Sequence, residues 1–384
     1  MNRVCFGDVV REVKNNVDRS INPYKYYVAG DHMDTEELRI LRRGSFTEPP
    51  EPGPAFIRAF KPGQILYGSR RTYLKKVAVA DFEGICANTT FVLETKDDNV
   101  FLQRLLPFLM YSECFTRFSI NNSKGSTNPY ILFSDLAKFE FDLPPIAEQR
   151  KLADLLWAAN ETREAYKKLL LATDELVKSQ FIEMFGDPVT NEKGWERGTI
   201  RDIAKEVKYG TSKPAAEGGQ YPYLRMNNIT YAGQLDLSDL KFINIPDSEL
   251  EKFIVRKGDV LFNRTNSKEL VGKTCVFDFD DLMIIAGYII RVRVNQKATP
   301  VYLSAVLNSD YGKLTLRTMC KKIIGQANIN ARELQDIEIL IPPLPLQNRF
   351  ADFVKQADKS KFELQRTLDE FELLYKSLSR NCFR

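Results

Sequence analysis

The chain carries nearly the same pattern twice, and that duplication limits its fold more tightly than composition does. CFGDVVREVK (5–14) is answered by TIRDIAKEVK (199–208), which sets Asp8 opposite Asp202. FKPGQILY (60–67) is answered by VRKGDVLF (255–262), with Gly63 opposite Gly258. SDLAKFEFDLPPIAEQRKLADLL (134–156) is answered by RELQDIEILIPPLPLQNRFADFV (332–354), with Gln149 opposite Gln347. The separation between partners widens slightly along the chain, as short insertions in the second copy would produce. Two copies of this length are too few and too long for a solenoid; they predict a pseudo-symmetric pair of similar modules.

Each copy opens with mixed structure. KPGQILYGSR and RKGDVLFNRT put a Gly-containing turn before a short apolar strand. The segments 77–94 and 283–294 are rich in β-branched and aromatic residues, as strands are. Segments 100–119 and 300–319 have helical periodicity.

Each copy closes with a long helix. Pro144 and Pro145, then Pro342, Pro343 and Pro345, end the preceding strand and admit helix only beyond them. Beyond them Leu152, Leu155, Ala159, Thr162, Tyr166, Leu169, Thr173 and Leu176 step by three and four. Phe350, Phe353, Ala357, Ser360, Leu364, Thr367, Phe371 and Leu374 repeat the rhythm, which is that of a coiled-coil seam. A helix over 147–185 would be about 57 Å long. Gly186 and Pro188 stop it. The expected fold is α+β: two similar mixed α/β domains separated by two long helices that form an antiparallel coiled coil. The expected division is a domain at 1–146, a helix at 147–186, a domain at 187–344 and a helix at 345–384. By itself this supports a two-armed scaffold and nothing more specific.

Four local patterns in order add a likeness. LPPIAEQRKLADLL (143–156), MFGDP followed by Gly194-Trp195, KGDVLFNRTNSKELVGKTCVF (257–277) and GQANINARELQDIEILIPPLP (325–345) resemble the specificity subunits of type I restriction–modification systems. The likeness covers essentially the whole chain. It departs at Leu346, where the first copy has Glu148, and in the first half, which has no good match to the Asn263–Asn266 loop. The resemblance implies that each domain, a target-recognition domain, reads one half of a split double-stranded DNA target, and that the helix pair sets the unspecified spacer. It also implies two S-adenosylmethionine-dependent modification subunits docked along the helices, and two ATP-dependent restriction subunits. Alternatives are a self-sufficient enzyme, and a DNA-binding or scaffold protein with a coiled coil outside restriction–modification.

Composition is compatible with the likeness. At 43% hydrophobic and 28% charged the chain reads as ordinary globular protein, and its net charge of +4 permits a nucleic-acid partner without requiring one. No apolar run is long enough for a membrane span, the N-terminus lacks a signal-peptide core, and the six scattered cysteines form no C-x-x-C, so a reducing cytoplasm is expected. A methyltransferase would need a Gly-rich loop and an Asn/Asp-Pro-Pro-aromatic loop; Asn22-Pro23-Tyr24 and Asn128-Pro129-Tyr130 lack the second proline. Gly272-Lys273-Thr274 has the tail of a phosphate loop, but Ser267 stands where its first glycine belongs. With His32 the sole histidine, no metal or cofactor is expected, and the chain is read as non-catalytic.

Arginine pairs with guanine and Asn or Gln with adenine, so loops that carry these residues are the candidate DNA contacts. In the second half they are Arg225, Asn227 and Asn228; Arg264, Asn266 and Lys268; and Gln326 with Asn328. In the first half they are Arg70, Arg71, Tyr73, Lys75 and Lys76, and Lys124, Ser126 and Asn128. Lys75, Lys76 and Lys273 suit phosphate better than bases. The loops differ, which predicts an asymmetric target, and Arg264 is the residue expected to matter most for one half-site.

Overall fold

The computed structural model describes residues 2–18, 21–49, 52–267, 270–323 and 326–382. The chain divides into two compact units, Met1–Lys167 with Arg366–Arg384, and Lys168–Gln365. Each unit holds one α/β lobe and one stretch of each long helix.

In the first unit an antiparallel sheet runs in the order Val10–Glu12, Thr90–Thr95, Ile65–Gly68, Val77–Val79. A second sheet runs Gly44–Ser45, Tyr26–Val28, Gly84–Ala87, Phe56–Phe60, and its middle pair is parallel. The second unit repeats both strand for strand. Its first sheet is Ala204–Tyr209, Ile289–Val294, Val260–Asn263, Thr274–Val276. Its second is Lys241–Ile243, Tyr221–Leu224, Met283–Ile285, Ile254–Val255, again with a parallel middle pair. The ends of each lobe are tied by one antiparallel pair, Asn2–Cys5 with Glu140–Leu143 and Glu196–Thr199 with Glu338–Ile341.

The first sheet of each lobe is the middle of three layers. Ile65, Tyr67, Phe91 and Leu93 pack toward the helices with Leu105, Leu109 and Phe115. Leu66, Ala78 and Val92, pointing the other way, pack on Val28, Phe60 and Cys86 of the second sheet. Val260, Phe262, Ile290 and Val292 repeat the helix-facing set, and Leu261, Cys275 and Ile289 the sheet-facing one. Burial on both faces explains why these strands read as unbroken apolar runs. It also explains the turn ahead of each: Gly63 and Gly258 both have φ near +90° (84° and 89°), a conformation glycine adopts without strain.

Two expectations are refined here. The run 283–294 is two strands in different sheets, and the helical stretches break at Ser112 and Ser309. Each serine caps the second helix by accepting a backbone N–H, from Phe115 and Gly312 respectively.

The long helices are Ile146–Phe185 and Leu344–Cys382. They pack antiparallel, since rising numbers on one meet falling numbers on the other. In the first unit Arg163 lies over the Tyr375 ring. In the second, Asp174 pairs with Lys361, and Phe181 and Phe185 meet Phe350 at 5.6 and 5.3 Å between ring centroids. The rhythm of three and four is right, but the seam is displaced by one residue on the first helix and at alternate positions of the second. On the first helix the covered positions are Ala153, Leu156, Asn160 and Arg163, while Leu155 is 51% exposed. On the second, Phe350, Ala357 and Leu364 keep their places, but Leu368 and Tyr375 replace Thr367 and Leu374, the last 69% exposed. Asn160, Arg163, Asp174 and Lys361, polar residues at displaced positions, are joined there by hydrogen bonds and ion pairs, and they blur the apolar pattern that Ala153, Leu156, Leu368 and Tyr375 would otherwise mark.

Each helix is pegged to its lobe by one glutamine. The amide of Gln149 donates to Val100 O and Pro144 O, both at 2.8 Å, and its oxygen accepts from Leu102 N at 3.0 Å. Gln347 does the same with Lys297 O, Pro342 O and Thr299 N at 3.0, 2.8 and 2.8 Å. Three of the four hydrogen-bonding positions of each buried amide are thereby filled. The proline–glutamine motif is thus a docking device. Its neighbour Glu148 is exposed, so its replacement by Leu346 leaves the peg intact.

Candidate nucleic-acid interface

Beyond the strand Ile65–Gly68 the chain enters a loop that pairs with a second loop. Ser69 N donates to Thr89 O at 3.1 Å, Ile131 N donates to Ser69 O at 2.9 Å, and Arg70 forms an antiparallel bridge to Tyr130. Tyr130 also bridges Lys124. Beyond Val260–Asn263 the same bonds recur: Arg264 N to Tyr288 O and Ile329 N to Arg264 O, both 2.9 Å. Thr265 pairs with Asn328, which pairs in turn with Lys321. So Ser69 stands where Arg264 does, Arg70 where Thr265 does, Arg71 where Asn266 does and Tyr130 where Asn328 does. The first half has the loop after all. The sequence hides it because the two copies share its hydrogen bonds but not the side chains at these four positions; the flanking Ile131 and Ile329, and Lys124 and Lys321, are alike.

In the first lobe Arg70, Tyr73 and Ser126 are exposed. Arg71, also exposed, donates through Nε to Asn128 Oδ1 at 3.2 Å and through its backbone N–H to Pro129 O at 2.7 Å. The lysines have internal partners instead. Lys75 Nζ lies 2.5 Å from Glu36 Oε1, Lys76 donates to Gly30 O, and Lys124 lies 2.8 Å from Asp135 Oδ2. The Asp135 hydrogen bond pushes the Lys124 ammonium up, so it stays fully charged.

In the second lobe Arg264 is half-buried, its guanidinium 4.8 Å from the Tyr209 ring centroid. Thr265 donates to Asn328 Oδ1 at 3.0 Å, and Asn266 Oδ1 accepts from Ser267 N at 2.9 Å. Asn227 is exposed. Three expected contacts turn inward. Asn228, 2% exposed, donates to Asp236 O and Asp239 O and accepts from Arg225 N, pinning its own loop. Arg225 is taken up by Asp239 at 2.8 Å. Lys273, 8% exposed, donates to Met226 O, and burial pushes its ammonium down, the reverse of what a phosphate ligand needs. Lys268 and the side chain of Gln326 lie outside the described residues. His32 closes its own turn by accepting from Ala29 N.

Four participants escaped the sequence reading. Tyr130, Tyr209 and Tyr288 are exposed beside the loop pairs, and Glu36 holds Lys75. Tyr130 and Tyr288 carried a signal, since Asn-Pro-Tyr and Gly-Tyr are turn sequences that end in an aromatic ring, whereas Tyr209 closes a strand and carried none. Glu36 carried none, being remote in sequence from the lysine it pairs with.

Duplicated three-layer lobes with matched loop pairs, each followed by one long helix, define a tandem-lobe protein with two long helices. The sequence profile of the type I restriction modification DNA specificity domain matches residues 58–170 and 192–370, and the chain belongs to that family. It is 24% identical over 296 residues to the type I restriction enzyme EcoKI specificity subunit of Escherichia coli K12, covering 70% of this chain and 64% of that one. It is 25% identical over 330 residues to the MjaIX specificity subunit of Methanocaldococcus jannaschii, covering 78% and 72%. The chain thus spans a little under two thirds of the EcoKI subunit. Among solved structures, a type I restriction–modification S subunit from M. genitalium superposes with a TM-score of 0.60 at 14% identity, covering 100% of this chain and 96% of that one. A chain of another type I R-M system, 21% identical, gives 0.57 over 98% and 96%. These structures support the fold.

Proposed function

We propose that this chain is the DNA-sequence-reading subunit of a type I restriction–modification complex, non-catalytic in itself and acting in the cytoplasm. One observation carries the reading: two loop pairs with the same hydrogen bonds present different side chains, as two readers of two different half-sites would. Exposed arginines, amides and tyrosines are the groups that contact phosphates and base edges. S-adenosylmethionine-dependent modification subunits and ATP-dependent restriction subunits would supply the chemistry, docking on the helix pair, and the helix length would set the gap between half-sites. The chain, produced with an adenine methyltransferase subunit, should methylate adenines only within one bipartite, asymmetric sequence, read by mapping methylated bases across a genome. The chain alone with S-adenosylmethionine should transfer no methyl group. Methylation without sequence preference, or the same preference from the methyltransferase alone, would defeat the proposal.

A further inference from the structure

We infer that Arg71 is the specificity-determining residue of the first lobe and that its half-site contains a guanine, which the guanidinium grips through O6 and N7. The inference rests on the DNA-reading proposal and deepens it. Three observations meet at this side chain.

The first is backbone identity. Arg71 and Asn266 follow the same bonded residues, Ser69–Arg70 and Arg264–Thr265, so the two lobes present different side chains from one position. A forked cation suits the two acceptors of guanine, whereas an amide suits the acceptor and donor of adenine.

The second is orientation. An arginine held through Nε keeps its paired Nη groups as the fork, and Asn128 Oδ1 holds Arg71 by that atom. The adjacent lysines are engaged by Glu36, Gly30 O and Asp135.

The third is rigidity. Among the described non-glycine residues, positive φ occurs at Glu36 (54°), Arg71 (51°), Lys75 (46°) and Asn191 (51°). Three of those four meet here. Arg71 and Lys75 bracket the single turn Thr72–Leu74, and Lys75 is tied to Glu36 through its side chain and through Glu36 N to Lys75 O at 3.4 Å. A strained turn locked at both ends fixes where its first side chain emerges, as a base contact requires.

The test is selection by the full chain from a duplex library with both half-sites randomised. Wild type should enrich a bipartite sequence with a guanine in one half. Arg71→Ala should cut preference for that guanine about tenfold while leaving the other half-site unchanged. Arg71→Lys keeps the charge but loses the fork, and should lose the same preference. A further measurement needs no variant: replacing that guanine by 7-deazaguanine, which lacks the N7 acceptor, should weaken wild-type binding. If wild type selects a bipartite sequence and both Arg71 variants and the 7-deaza duplex behave like wild type, the guanine assignment is overturned and DNA reading stands. Should wild type select no sequence at all, both fall.

Discussion

Arg71 and Arg264 share a side chain and differ in everything around it. Arg264 stacks on Tyr209, and its Nε approaches Ile329 O at 3.5 Å, the strand neighbour its own carbonyl already holds. Stacking and a backbone acceptor draw it into the lobe, so its contribution to recognition would come through holding the Thr265–Asn266 strand in place. Arg71 instead depends on the strained turn behind it, and that turn depends on Glu36. Burial pushes the Glu36 carboxyl up, but the Lys75 hydrogen bond and charge, with Lys376 and Arg163, outweigh it and leave the group below its ordinary 4.5. A carboxyl held low in the fold contributes stability that is complete above its unfolded value and is lost as pH falls through the folded one. We therefore expect the 71–75 turn to loosen below about pH 4.5. Amide exchange should show it in wild type, and Glu36→Gln should show the same exchange already at neutral pH. Equal protection in the two proteins at neutral pH would mean that the ion pair does not hold the turn.

Among the elements, the helix ends are where small changes should cost most. Replacing Gln347 by Leu strands Lys297 O, Pro342 O and Thr299 N in the interior. At about 1–3 kcal/mol for each buried group left without a partner, the loss is several kcal/mol, and Gln149→Leu should match it. Thermal unfolding of each variant would measure this; a shift of only a degree or two would show that the pegs are dispensable. The helices also show what the sequence could and could not reveal. Their existence, ends and rhythm were legible because prolines and glycines punctuate them and their apolar spacing is regular. Their register was legible only in part, because Arg163 over Tyr375 and Lys361 beside Asp174 are polar residues made tolerable by partners far away in the chain. The same blindness affects the interface. Loops, lysines and amides could be found, but Asn228 and Lys273 looked like surface residues until their carbonyl partners appeared. Ion pairs inside the lobes behave alike: Glu12 and its counterpart Glu206 are both answered by arginine, Arg58 at 2.5 Å and Arg291 at 2.6 Å, yet these arginines come from non-equivalent strands.

For the whole molecule the duplication is the organising fact, since every sheet, cap and peg of the first unit has its counterpart in the second. The paired loops are one place where the copies differ, with Arg71 against Asn266 and Tyr130 against Asn328, and those differences leave the shared backbone bonds of the lobes in place. The proposed ruler can be tested in the same spirit. Inserting seven residues into both long helices at facing positions preserves the repeat of the seam. Each helix lengthens by about 10.5 Å, close to three base-pair rises of about 3.4 Å. The methylated sequence should then keep the bases of both half-sites and widen its unspecified gap by about three base pairs. Insertion into one helix alone would leave the added turns unpaired, and should lower thermal stability instead of producing a clean new spacing. A doubly lengthened chain that kept the original gap, or read different half-site bases, would show that the helices join the readers without measuring the distance between them.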